Sequence, residues 1–379
     1  MVGLLFPSND ATPAVRRPVF EVSFGGGSSD SAIGGLASAA SSALGVDLGG
    51  SSDPWKESVV AIALSSTLAP GVDVAEIYLS ANDQAPTVAL GDTGTISLGY
   101  GDGSAELVFT GQIEQIRHGI DGMTRLTVTN AAAQLAKQRI NQSYEQQTAG
   151  DIIRDLTSTA SVDTDSIEDG ITFPFYILDD RRTAYHHIAN LAQKSGYLAY
   201  ITPENKLNFT PFNAGQPVQT FTYGTDVLSL TVTESTPGIS RVITIGEGAA
   251  GSQGQSAWNW LIKDPSAVQG SSGDGDPNRE LPDASLRSQD AAQQAADGKA
   301  IASIQLTLTG SLLVPGAPLV VVGSAIEVTD APQDVLNGLF LVRTIRHRFS
   351  KRDGFTTQIG FSKAGDSSSG GLGSLGGLL

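Results

Sequence analysis

Four histidines, 39 carboxylates and no cysteine bound the chemistry open to this 379-residue chain. His186 and His187 are the only clustered imidazoles. Neighbours on a helix point about 100° apart, so this pair cannot close on one metal as an i, i+4 pair can. They read as a solvated or interface pair, and His118 and His347, each alone on a strand-like run, as packing or edge residues. Asp274, Asp276 and Asn278 mimic the opening of a calcium loop, but Arg279 stands where the sharp turn needs glycine and Ser285 where a bidentate glutamate should close the site. The acidic run at residues 163–169 is a weaker match still. GYGDG at residues 99–103 leads into a strand, not a helix, which removes phosphate-loop geometry and leaves a hairpin turn. Glycoside hydrolysis needs two carboxylates flanking a sugar cleft. Glu114 with Asp121 and Glu234 with Glu247 are available, and nothing in their surroundings singles them out. There is no G-x-S-x-G elbow, and no serine stands out with His and Asp partners. The expectation is no catalytic residue, no cofactor and no metal.

Composition narrows the class further. A net charge of −16 opposes nucleic-acid binding, which needs clustered Lys and Arg. The one basic cluster is Arg343, Arg346, His347, Arg348, Lys351 and Arg352. On an alternating strand these side chains divide between two faces, and the cluster reads as a solvated edge that resists strand addition. No apolar run reaches the roughly 18 residues of a membrane span. MVGLLFPSND lacks a basic start and a long apolar core, so it is not read as a signal peptide. Trp258 and Trp260, in QSAWNWLIKDP, are the candidate partner-contact residues, because tryptophan is favoured at interface hot spots. Burial within the same subunit is an equal alternative.

Low aromatic content, 6%, and 44 glycines suit a β-rich chain with many turns. A strand is expected at residues 19–24, then a Gly/Ser/Ala-rich insertion at 25–53 with too little apolar surface to offset chain entropy. From Lys56 to Thr129 short alternating runs predict a small antiparallel barrel or sandwich. A helix over 131–140 leads to a module at 147–209. There Thr148 and Asp151 form a capping-box start, and Ile152, Ile153 and Leu156 give one apolar helical face. A polar, Asp-rich loop follows. Asp179, Asp180 or Thr183 caps a second helix with Tyr185, Ile188, Ala189 and Ala192 on its inner stripe and Lys194 on its polar face; Gly196 stops it. LAYITPENKLNF reads as a hairpin turning at residues 203–205. Further strands are expected at 221–223, 227–234 and 239–246, before an excursion at 247–286. An Ala-rich helix at 291–302 and strands at 304–308, 319–322, 326–328, 339–349 and 355–361 complete a second β unit.

The series T-A-x-x-I-I-x-x-L, L-A-x-x-x-G-Y-x-x-Y and a hairpin ending L-x-F resembles the late-control protein D family of phage tails. VPGAPLVVVG at 314–323 and NGLFLVRTIRHRFSKRDGFTTQIGF at 337–361 are similar to that family's closing strands. The family includes central hubs of contractile tails and the amino-terminal part of type VI secretion spikes. The resemblance implies an α+β, mostly β fold: two tail-tube-like antiparallel β-barrels with an inserted α/β module. The division is 1–146 for the first barrel with its 25–53 insertion, 147–212 for the module, 213–363 for the second barrel with its 247–286 excursion, and 364–379 for a low-complexity tail. The implied function is structural: a homotrimeric adaptor joining a sixfold tail tube to a threefold spike, contacting other baseplate proteins. It would assemble in the bacterial cytoplasm into a phage tail or contractile injection particle, without nucleic-acid binding or stable membrane insertion. The alternatives are a cell-wall-degrading enzyme of the same apparatus and a carbohydrate-binding or adhesin module. The first needs a two-acid cleft or metal triad, and the second exposed aromatic platforms.

Overall fold

Alternating apolar residues draw the amino-terminal half into antiparallel strands around one core. A computed structural model describes residues 17–25, 53–82, 85–101, 105–246 and 268–364. Trp258, Trp260, Glu247, the 365–379 tail and all but the ends of the 25–53 insertion lie outside the described residues. Strand β1 (Pro18–Phe24) is followed by a short helix α1 (Pro54–Ser58), whose Asp53 cap accepts from the Trp55 amide. Then come β2 (Val59–Thr67), β3 (Val74–Ser80), β4 (Thr93–Tyr100), β5 (Glu106–His118) and β6 (Met123–Thr129). They pair in the order β1-β4-β5-β6-β3-β2, all antiparallel. Ile62, Ile77, Ile96, Leu98, Ile113 and Leu126 are completely buried between them.

The module follows as α2 (Ala131–Lys137), β7 (Gln142–Thr148), α3 (Ala149–Thr159), β8 (Thr164–Ile167), β9 (Thr172–Leu178), α4 (Ala184–Ser195), β10 (Tyr197–Ile201) and β11 (Leu207–Pro211). Its caps match the local chemistry. The Thr148 hydroxyl accepts from the Asp151 amide at 3.0 Å while the Asp151 carboxylate accepts from the Thr148 amide at 3.2 Å. Thr183, of the three candidates, caps α4, and Gly196 ends it at φ 72°. The β10–β11 hairpin turns through Asn205, at φ 67°.

Two parts of this region differ from expectation. The helix over 131–140 ends at Lys137, and the Asp-rich loop contains two strands. β9 pairs antiparallel with the polar β7, and β8 runs parallel to β11. Burial of Phe173, Tyr176 and Leu178 against α3 and α4 stabilises β9, and Pro174 is tolerated because this two-stranded sheet has open edges.

The rest of the chain supplies β12 (Gln219–Thr222), β13 (Ser229–Glu234), β14 (Arg241–Ile245), β15 (Gln269–Gly273), β16 (Asn278–Pro282), α5 (Gln289–Gln305), β17 (Leu308–Pro315), β18 (Ala325–Thr329), β19 (Gly338–Ser350) and β20 (Gly354–Lys363). The expected strand at 304–308 starts late, because α5 continues to Gln305 with Leu306 as its cap. The expected strand at 319–322 is instead a pair of turns that buries Val320 and Val322.

The basic cluster is not on an edge. β19 pairs with β2 on one side and β20 on the other, and its first residues also pair with β18. One continuous sheet therefore runs β1-β4-β5-β6-β3-β2-β19-β20-β17-β13, with β12 parallel to β18 as a branch. The fold is α+β and mostly β, with two β units around two apolar cores, the first of which also takes in Phe349 of β19 and Phe355 of β20. The hydrogen-bonded path joins them through β2 and β19 and, among the described residues, is open at β1 and β13.

Helix α5 packs on α4 where two glycines meet. A Cβ on Gly298 would lie 2.7 Å from both the Cα and the N of Gly196. Helix propensity alone favours Gly298→Ala by up to about 1 kcal/mol. Contact with backbone that cannot rotate away wins, and the substitution should destabilise by about 1–3 kcal/mol in chemical unfolding. A neutral or stabilising result would show that the two helices separate freely.

Lys194 corrects the helix faces read from sequence. Its side chain is only 12% exposed and its Nζ lies 2.7 Å from an Asp283 carboxylate oxygen. It also donates to the Ser285 hydroxyl and sits over the Tyr176 ring, 5.3 Å from its centroid. Position Lys194 thus ties α4 to the chain entering α5. Lys194→Ala should cost about 1–3 kcal/mol, less than a fully buried pair because the carboxylate keeps some water. A loss within about 0.5 kcal/mol, as for an ordinary surface residue, would restore the polar-face reading.

Candidate functional site

The residues with chemical potential are dispersed. His187 is buried with Nε2 2.9 Å from the Asp179 carbonyl, while the exposed His186 places Nδ1 2.8 Å from the Thr183 hydroxyl. The pair diverges, as helix geometry requires. His118 pairs with Thr124 on the surface. His347 is buried on β19 with Nδ1 2.9 Å from the Thr357 hydroxyl, and burial lowers its pKa to about 4. Among the described residues no group of three or more His, Asp or Glu is placed to hold a metal.

Glu114 and Asp121 have structural partners. Glu114 on β5 is held well below the usual carboxylate range by the Lys137 ammonium and the Thr129 hydroxyl. Asp121 accepts from the Met123 amide and closes the β5–β6 turn. Asp274 and Asp276 lie in the turn between β15 and β16, and Asn278 opens β16. Tyr100 of the GYGDG hairpin donates to the Phe355 carbonyl and accepts from the Gly316 amide, joining the two β units.

A small cavity lies where β2, β5, β19, the β10–β11 hairpin and the 318–322 turns meet. Its free volume is about 20 Å³, enough for one water and far too little for a sugar. Leu64, Phe109, Ile201, Val320 and Val322 line it, with Asp73, Asn130, Thr202 and His347 as polar members.

What the fold does build is extended. Across β13, β17, β20, β19 and β2, Thr231, Ser311, Gly360, Thr344 and Thr67 stand opposite one another on one sheet face. The next row runs Leu313, Gln358, Arg346, Ser65, Val74, Thr129 and Gln112. This face is rich in hydroxyls and amides. Among the described residues β1 and β13 end the sheet with one hydrogen-bonding edge unpaired in each. Such edges and faces suit assembly by strand and loop contact. The sequence reading missed the place of β19, because alternation reveals faces but not neighbours.

Residues 63–353 match the sequence profile of the phage tail baseplate hub (GPD) family. The chain belongs to that family. No curated protein sequence matches it. Its fold is similar to the 43 kDa tail protein of prophage MuSo2 from Shewanella oneidensis, at TM-score 0.61 and 14% identity over 81% of this chain and 94% of that one. A tail protein from Neisseria meningitidis gives TM-score 0.60 and 14% identity over 81% and 92%. An Escherichia coli type VI secretion component, itself structurally similar to the T4 bacteriophage tail proteins gp27 and gp5, gives 0.54 and 12% over 80% and 73%. Membership of the hub family makes the chain a structural tail component that associates with other tail parts. No helix among the described residues is long and apolar enough to cross a membrane.

Proposed function

We propose that this hub protein is the central adaptor of a contractile tail or related injection device, acting as a homotrimer between a sixfold tail tube and a threefold spike. The observation that carries the reading is the β2–β19 pairing. It makes one sheet of two β units in each chain, so three chains present six units. The open edges at β1 and β13 support ring assembly, because a repeated heterologous contact closes only into a ring or grows into a filament. Binding energy comes from large interfaces with tube, spike and other baseplate proteins, which needs no catalytic residue. The division into 1–146, 147–212, 213–363 and 364–379 belongs to this proposal, as does assembly in the bacterial cytoplasm. Trp258 and Trp260 are proposed partner contacts.

Affinity purification of the tagged chain from the cell that encodes it should bring down a tube protein and a spike, and Trp258→Ala with Trp260→Ala should reduce that recovery. Recovery of neither protein would contradict the adaptor role. Incubation with peptidoglycan should release no soluble fragments. Release abolished by changing one acidic residue would favour the cell-wall-degrading alternative.

A further inference from the structure

A single buried carboxylate links the first β unit to the α/β module. Asp73 is 1% exposed, at the end of the β2–β3 turn. Oδ1 accepts from the Thr67 amide at 2.8 Å, and Oδ2 accepts from Asn130 Nδ2 at 2.8 Å. Asn130 is also the cap of α2: its Oδ1 accepts from the Ala132 amide at 3.1 Å. The next amide, of Ala131, donates to Asn205 Oδ1 at 2.7 Å, in the turn of the β10–β11 hairpin. From the same β2–β3 turn the Ala69 amide donates to the Ala199 carbonyl on β10 at 2.8 Å. Hydrogen bonds therefore connect β2 through Asp73 to the helix cap, and the backbone at the start of α2 carries the connection on to the hairpin.

We propose that Asp73 is a proton-controlled latch between the first β unit and the module: neutral, it is held at no charge cost in the closed junction, and ionised, it favours a junction that opens to water. Asp73 lines the small cavity, and so does Thr202, whose buried hydroxyl has no hydrogen-bond partner. The ionisable groups facing Asp73 are Tyr185 from α4, whose buried phenol also has no partner, and the neutral His347 from β19. Ile201, Thr202 and Pro203 of the hairpin, Val320 of the 318–322 turns, and Val108 and Phe109 of β5 bring no charge. Burial, opposed only by the two hydrogen bonds, raises the carboxyl to about 7. In an opened, hydrated junction it would return to the ordinary range near 4. The closed junction thus holds an extra proton between about pH 4 and pH 7, so opening becomes easier as pH rises across that window and levels off above it.

The device goes beyond the hub reading and does not rest on it. The test is amide hydrogen exchange on the full chain at pH 5 and pH 8, with rates corrected for intrinsic exchange. Protection of α2 and of the β10–β11 hairpin should fall about tenfold or more between the two, while β4 and β5 keep theirs, since each pH unit of linkage can change the opening constant tenfold. The exchanged pair Asp73→Asn with Asn130→Asp keeps the hydrogen bonds and moves the charge to a helix N-terminus, where it is favoured. Its protection should change by less than about twofold. Unchanged protection in the natural chain, or an equal fall in the exchanged pair, would overturn the latch. If the exchanged pair does not fold, the natural chain's profile decides, by whether the fall levels off near pH 7 or is absent.

Discussion

Leu156→Ala should lower stability by about 2–5 kcal/mol, read as a shift of the chemical unfolding midpoint. Leu156 is fully buried on the inner face of α3, in a cluster with Ile152, Ile153, Phe173, Tyr185 and Ile188. Truncation removes the transfer free energy of the lost carbons and leaves a cavity that the surrounding helices and strands close only in part. The neighbours come from α3, β9 and α4, so collapse around the hole must move more than one element. A loss near 0.5 kcal/mol would place Leu156 on a surface and α3 in the wrong rotation.

His347→Gln should change how stability depends on pH by about 3 kcal/mol between pH 4 and pH 6.5. In the native chain burial keeps His347 neutral down to about pH 4. The unfolded chain binds that proton near 6.5. The unfolded state therefore holds the extra proton in this window, and the His347 contribution makes stability rise with pH. Asp73 acts in the opposite sense, because burial keeps its proton on in the native state up to about pH 7. The two slopes offset one another in the natural chain. Gln preserves a hydrogen bond to Thr357 and removes the titration, so the variant should lose stability from pH 4 to pH 6.5 relative to the natural chain. Thermal unfolding at matched pH values measures the difference. Parallel curves would mean that His347 reaches water in the native state.

Local chemistry made some of this structure legible in the residues. The Thr148–Asp151 box, the Thr183 cap, the Gly196 stop and the Asn205 turn each depend on a few consecutive side chains, and each stands where spacing puts it. The buried stripe Tyr185, Ile188, Ala189 and Ala192 follows from helical period alone. What was hidden depended on partners far along the chain. β7 exposes most of its side chains and gains its place from β9, which itself carries a proline. Lys194 lies on the polar side of a helical wheel until Asp283 arrives to cover it. Asp73 resembles an ordinary turn aspartate, and the groups that approach it, Asn130 and Tyr185 among them, lie far along the chain. Arg346 and Arg348 are exposed, but the basic cluster is no sheet edge, because the strands that flank β19 come from far along the chain and were not readable. The family motifs lay in the residues, whereas the union of two β units through β2 and β19 came from tertiary pairing.

That union is the centre of the account, and the mass of the assembled particle tests it most directly. Native mass spectrometry of the chain coexpressed with its own spike should give three copies of the hub in each complex. Images of the same sample should show six lobes of two alternating kinds around a passage. A stable dimer or hexamer of the hub on that spike would contradict the adaptor.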